Sequence, residues 1–172
     1  DQACPVELVS SDQPATLQDA ENDIAILHGT GSWEGRIAFP LFPDLLVPII
    51  SAQLAQRAGI SSGHSLSLIP AEQRPPLLNF PRITPDWTNW DNWGSAYEVA
   101  DWPRTDCGTY ARSIGAALEG LGIALASPYI LSAELAAGQL LQLTPVVQST
   151  RYAYFLTHKE SPDLRPDALR LL

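Results

Sequence analysis

The sequence has no methionine, two cysteines and ten lysines and arginines against nineteen aspartates and glutamates in 172 residues. The resulting formal net charge of −9 argues against nucleic-acid binding by this chain itself, because neutralising phosphates requires cations. Cys4 and Cys107 lie far apart in apolar surroundings, which favours a reduced, cytoplasmic protein, with one disulfide as the alternative. The sequence shows no signal-peptide pattern and no apolar run long enough for a membrane span, so we expect no membrane partner.

Motifs of common catalytic and metal sites are also missing. His28, His64 and His158 have no metal-ligand spacing, and no G-x-S-x-G nucleophile elbow occurs. Gly29-Thr30-Gly31 has no helix predicted directly after it, so a dinucleotide site is not expected. No two carboxylates have a reason to share a proton. We therefore expect no enzyme, no metal and no cofactor.

Strand and helix patterns alternate along the chain, which is typical of an α/β fold. We expect strands at residues 5–10, 23–28, 36–50, 77–80, 104–107, 122–127, 139–143 and 151–157. DIAILH at 23–28 is nearly continuous in apolar residues and predicts a strand buried on both faces. Residues 36–50 predict one or two strands, with a turn at Pro43-Asp44.

Helix ends are the clearest local signals. Three predicted helices begin at a capping residue or a proline and end at a glycine. With these end residues included they span 51–59, 109 to 120 or 122, and 128–138. A further helix is expected from residue 162 onward, because a proline is tolerated in a first turn. The chain starts at Asp1, directly before a strand-like run, and we expect it to be a fragment or a processed product of something longer.

Three of the five tryptophans, Trp87, Trp90 and Trp93, lie three residues apart in PDWTNWDNW. With Asp86 as the N-cap, a predicted helix places them on one broad face. An apolar helical stripe usually covers a core, so we favour a buried structural helix over an aromatic cage for a ligand. Trp93 is expected to be the most exposed of the three.

Six segments carry, in order, a resemblance that covers nearly the whole chain. They are NDIAILHGTGSWEGR, PLFPDLLVPIISAQLA, LLNF followed by PDWTNW, ARSIGAALEGLGIALASPYIL, ELAAGQLLQL and RYAYFLTHKESPDLRPDALRLL. Together they resemble the effector-binding domain of LysR-type transcriptional regulators, most of all the subgroup of the glycine-cleavage activator and the β-lactamase regulator.

The resemblance implies two Rossmann-like lobes joined by crossover strands, similar to type II periplasmic binding proteins, with the first strand–helix unit missing. Lobe I would comprise about 1–29 and 150–172, and lobe II would comprise about 30–149. Residues 1–75 would therefore run from the first lobe into the second. Both lobes would belong to a single effector-binding domain. The family's winged helix-turn-helix is not in this chain, so DNA would be a partner only through that domain. A homodimer or tetramer would form through the helices at about 51–57 and 110–119.

The implied ligand is a small polar or anionic effector, bound between the lobes at strand carboxyl ends and helix N-termini. Eight residues are candidates to contact it: Ser11, His28, Thr30, Phe80, Arg82, Thr109, Tyr110 and Tyr152. Thr109 and Tyr110 open the clearest helix, whose first N–H groups would face an anion; a plain N-cap is the alternative.

Structural roles compete with a binding role at several other candidates. His28 also fits a hinge position, Arg82 a solvated surface, Tyr152 a packed core and Ser11 a loop. The favoured function is ligand sensing for a bacterial transcriptional regulator, working by a shift between conformations. The alternative is a periplasmic solute-binding protein for a transporter.

Overall fold

The structure is a computed structural model that describes residues 7–11, 13, 16, 22–83, 87–93, 99–143 and 148–160. The chain divides into two compact units, Asp1–Asp44 with Thr150–Leu172, and Leu45–Ser149. The lobe boundaries expected from the resemblance stay a prediction. Within the described residues, none of the helices is long and apolar enough to cross a lipid bilayer. The helix expected from residue 162 lies outside the described residues.

The first unit is built on β1 (Ile24–Gly29), β7 (Gln148–Lys159) and the beginning of β2 (Arg36–Ser51). β7 lies in the middle, antiparallel to β1 and hydrogen-bonded to β2 on its other side. Buried Thr157 ties the three strands together, because its Oγ1 donates to the carbonyl of Ala25 at 3.1 Å and accepts from Arg36 Nε at 2.9 Å.

Three expectations for this unit are wrong. Ile26 is 56% exposed while Leu27 is buried, so β1 is buried on one face only, as is common for an antiparallel edge strand. β2 runs unbroken through Pro43-Asp44, and the Asp44 carboxylate lies 3.1 Å from His28 Nε2 instead of closing a local turn. Residues 7–10, where a strand was expected, form none and leave Leu8 91% exposed; residues 5 and 6 lie outside the described part.

The second unit contains three parallel strands, β5 (Ile123–Ala126), β3 (Leu77–Asn79) and β4 (Arg104–Asp106), with β3 in the middle. The end of β2 runs antiparallel to β5 on one side and to β6 (Leu140–Gln142) on the other. Every residue of β5 is buried, which confirms the prediction of a buried strand there.

Local capping sets the helices of this unit, α1 (Ala52–Ala58), α2 (Tyr110–Leu118) and α3 (Ser132–Ala136); two short 3₁₀ turns lie at Leu66–Leu68 and Ala71–Gln73. Ser51 Oγ accepts from Leu54 N, and Thr109 Oγ1 accepts from Arg112 N, each at 3.2 Å, so both predicted N-caps are confirmed.

Glycines account for the ends of two of these helices. Gly59 ends α1 with a φ of 66°, and Gly120, at 75°, follows α2, in the left-handed region that glycine adopts without strain. Gly122 has another reason to lack a side chain, since a Cβ there would lie 2.3 Å from the carbonyl oxygen of Pro76.

The predicted tryptophan helix is wrong, although the predicted burial is right. Residues 87–93 form a turn without a helix, and residues 84–86, with the expected cap, lie outside the described part. Side chains of this turn compete with helical bonding for its backbone: Asn89 N donates to Asn92 Oδ1 at 2.8 Å, and Asp91 N donates to Asn89 Oδ1 at 2.9 Å. A single helix-type bond is formed, from Trp93 N to the Asn89 carbonyl at 2.9 Å, among the described residues of the turn.

The turn inserts two indole rings into the core. Trp90 and Trp93 are buried and meet edge to face, with ring centroids 5.4 Å apart, whereas Trp87 is half-buried. The expectation that Trp93 is the most exposed of the three is therefore wrong, because it rested on helical geometry. The burial supports the structural interpretation of the tryptophans over a ligand cage.

We expect Trp90→Ala to lower the free energy of unfolding by about 3–5 kcal/mol, because it removes a completely buried ring and leaves a cavity. Urea unfolding of the chain measures the loss. Trp87→Ala is the matched control and is expected to lower the stability clearly less, since part of that ring already lies in water. A near-neutral Trp90→Ala would contradict the core role of this ring.

Candidate functional site

A cavity of about 420 Å³ opens where β3 and β4 end side by side. The carboxyl ends of parallel strands are a usual place for ligands in α/β folds. The described residues that line the cavity are Asn79, Phe80, Pro81, Arg82, Asn89, Asp91, Arg104 and Asp106. They all belong to the second unit.

Two buried residues form the inner part of this cavity. Phe80 is only 3% exposed, and its ring meets that of Tyr110 edge to face, with centroids 5.4 Å apart. Asn89 is 2% exposed, and its Nδ2 donates to the Phe80 carbonyl at 2.8 Å. The inner wall is therefore held by packing and by a buried hydrogen bond rather than by surface side chains.

Asn79, the last residue of β3, connects the cavity to its surroundings. Its Nδ2 donates to Asp91 Oδ2 at 3.3 Å and its Oδ1 accepts from Trp90 N at 3.2 Å. Its backbone carbonyl accepts from Cys107 N at 2.8 Å. One residue thus binds the tryptophan turn and the end of β4 to the end of β3.

Charged side chains of both signs stand at the exposed part of the cavity. Arg104 forms an ion pair with Asp91, and Asp91 Oδ2 also accepts from Asn89 Nδ2 at 3.3 Å. Asp106 Oδ1 accepts from Gly108 N at 2.8 Å, which fixes its carboxylate just before α2. Arg82 lies exposed on the segment that follows β3.

Cys107 follows Asp106 at this edge of the sheet. Burial, and then the negative charge of Asp106, raise the pKa of the Cys107 thiol above its ordinary value. The thiol is therefore largely protonated at neutral pH, and a protonated thiol is a poor nucleophile. Within the described residues, no group of three or more histidines, cysteines or acidic residues is placed to hold a metal ion.

Two of the predicted effector contacts, Phe80 and Arg82, line the cavity. Thr109 and Tyr110 lie in the same unit, but the described lining does not include them. The Thr109 hydroxyl caps α2, and the Tyr110 hydroxyl accepts from Ser127 N at 3.2 Å. Both side chains therefore make structural contacts, and their predicted role in effector binding stays a prediction.

The other four predicted contacts lie in the first unit. His28, beside Asp44, has its ring 5.5 Å from that of Tyr152. Arg151 Nε donates a hydrogen bond of 2.9 Å to the hydroxyl of Tyr152. Thr30 is exposed after β1, and Ser11 Oγ accepts from Gln13 N at 3.0 Å. An effector role for these four residues also stays a prediction.

Sequence reasoning missed most of the polar cavity lining: Asn79, Asn89, Asp91, Arg104 and Asp106. Asn79 and Asp106 had a usable signal, because each is a polar residue at the end of a predicted strand. Asp91 belongs to the segment predicted as a helix; that segment forms a turn, and the Asp91 carboxylate pairs with Arg104.

The model of the LysR substrate binding domain family matches residues 4–172. The chain belongs to this family. Among curated proteins, no match was found.

Solved structures of regulators share the fold. The effector domain of AmpR from Pseudomonas aeruginosa is 24% identical, with 87% of this chain and 68% of that one covered and a TM-score of 0.57. The regulatory domain of AphB from Vibrio vulnificus is 18% identical, with 96% and 78% covered and a TM-score of 0.60. The full-length virulence activator AphB of Vibrio cholerae is 20% identical, with 96% and 54% covered and a TM-score of 0.56.

Membership of this family confirms the predicted resemblance and the mixed α/β fold of the type II periplasmic-binding-protein kind. It also decides between the two predicted functions. The LysR-type domain senses a ligand for a transcriptional regulator, and the alternative of a transport receptor is set aside. The family is a regulatory one.

We expect Asn89→Ala to lower the free energy of unfolding by about 1–3 kcal/mol, because the buried Phe80 carbonyl loses its donor. Gln56→Ala is the control, with an expected change within about 0.5 kcal/mol, since Gln56 is exposed on the surface of α1. Urea unfolding compares the two variants. Equal losses would show that the buried bond is not what holds the inner wall.

We expect iodoacetamide to alkylate Cys107 with a pH midpoint above that of an unhindered cysteine, because its pKa is raised. The rate is measured against pH in a Cys4→Ser background. Asp106→Asn is expected to lower the midpoint only in part, since burial is the larger cause and remains. An unchanged midpoint in that variant would show that the Asp106 charge does not reach the thiol.

Proposed function

We propose that the cavity at the ends of β3 and β4 binds the effector of this LysR-type domain, and that the effector carries an anionic group. The observation that carries the proposal is the cavity itself, which combines a buried inner wall with the two guanidinium groups of Arg82 and Arg104. Guanidinium groups bind carboxylates and phosphates through paired, charge-assisted hydrogen bonds. A cavity of about 420 Å³ is of a size suited to a small molecule.

The connection from the cavity to the core supports a sensing role. Asn79 bonds both to Asp91 in the cavity and to the backbone of buried Trp90. An effector that competes for Asp91 or Arg104 therefore acts on the tryptophan turn. If the effector binds one arrangement of this turn more tightly than another, it increases the population of the first arrangement. A ligand sensor requires at least such a shift.

The wider assembly follows the family. We propose that the parent protein is a cytoplasmic regulator, that its effector domains associate as a homodimer or tetramer through α1 and α2, and that DNA is contacted by a winged helix-turn-helix outside this chain. In support, the chain aligns with 54% of the full-length Vibrio cholerae activator. The net charge of −9 agrees with a separate, basic DNA-binding domain.

The test is a thermal-shift screen of the chain with a panel of small carboxylates and phosphates. A compound that binds the native state raises the melting temperature by mass action. Arg82→Gln is expected to weaken such binding about tenfold or more, because a charge-assisted hydrogen bond is lost.

Arg57→Gln is the matched control, since Arg57 is exposed at the end of α1, where its guanidinium donates to the Gly120 carbonyl at 3.4 Å. This variant is expected to keep the ligand response of the unmodified chain. If compounds shift the melting temperature equally in the unmodified chain and in Arg82→Gln, the cavity is not the anion site.

A further inference from the structure

The described lining of the cavity carries charged groups of both signs. Arg82 and Arg104 supply two positive charges, and Asp91 and Asp106 supply two negative charges. The whole chain, by contrast, has a formal net charge of −9. The cavity therefore presents positive groups in a chain that is acidic as a whole.

The presence of both signs discriminates between classes of ligand. A dianion that contacts both guanidinium groups also lies near two carboxylates, which repel it. A dication that contacts both carboxylates lies near two guanidinium groups, which repel it in turn. Like charges brought together at a binding site lower the affinity. A ligand with one positive and one negative group avoids both penalties when each group faces its opposite.

The hydrogen bonds indicate which carboxylate would receive a cation. Asp91 already accepts from Arg104, Asn79 and Asn89. Asp106 is held differently, by the Gly108 amide on its Oδ1, at the exposed end of β4. A backbone amide leaves the formal charge of Asp106 in place, so Asp106 is the better partner for a ligand ammonium.

We propose that the effector is a small zwitterion of the amino-acid type, whose carboxylate meets Arg82 and Arg104 and whose ammonium meets Asp106. The inference rests on the proposed function, because it assigns a ligand class to the same cavity. It adds that the site recognises the positive group of the ligand as well as the negative one. Asp106, for which the sequence predicted no role, would bind the positive group.

The experiment is a thermal-shift screen of the chain with the twenty proteinogenic amino acids. The best binder is then compared by calorimetry with two analogues, the carboxylate that lacks its α-amino group and the amine that lacks its carboxylate. We expect the amino acid to bind about tenfold or more tightly than either analogue, because each analogue loses one charge-assisted contact.

Two variants separate the roles of the charges. Asp106→Asn keeps an oxygen to accept from Gly108 N, and is expected to weaken the amino acid about tenfold while leaving the deaminated carboxylate unchanged or tighter. Arg82→Gln is expected to weaken both. Asp101→Asn is the matched control, since Asp101 is exposed in the same unit and is not part of the described lining.

The outcomes distinguish this inference from the proposed function. If only simple carboxylates or phosphates bind in an Arg82-dependent way, or if Asp106→Asn leaves amino-acid binding unchanged, the zwitterion inference is overturned and the anion site stands. If neither panel gives a response that depends on Arg82, both are overturned. Tight amino-acid binding that depends on Arg82 and on Asp106 supports both.

Discussion

The site in the second unit depends on the hydrogen bonds of one residue, Asn79. Its side chain bonds to Asp91 and to the backbone of Trp90, and its carbonyl accepts from Cys107 N. These contacts join the end of β3 to the tryptophan turn and to the end of β4. Because Trp90 is completely buried, the polar cavity and the apolar core share one supporting element, and neither can rearrange alone.

The same arrangement explains why charged residues are tolerated so close to the core. Asp91 and Arg104 neutralise each other, and amides supply further donors to the carboxylate. The Asp91 side chain is also 58% exposed, so water solvates its carboxylate as well. The one carboxylate of the described tryptophan turn, Asp91, is thus paired, and it still faces the cavity.

Much of the fold could be predicted from the sequence because much of it is locally determined. The N-caps at Ser51 and Thr109 and the left-handed Gly59 follow from hydrogen bonds within a few residues. The buried strand β5 follows from its apolar composition, although the same composition was misleading for β1, whose Ile26 is exposed. The tryptophan segment was wrongly predicted as a helix because the side chains of Asn89 and Asn92 bond to its backbone, and periodicity does not measure that competition.

The candidate site was less predictable, because its chemistry arises from pairing between distant segments. Parallel pairing of β3 with β4 sets Asn79 opposite Asp106, residues from two three-residue strands separated by the tryptophan segment. Strands of that length have no periodicity from which their partner can be inferred. The sequence could show that polar residues end both strands; only the register shows that they end at the same place. Recognition of two opposite charges by one cavity is therefore a product of register, and a slip of one residue would turn these side chains to the opposite face of the sheet.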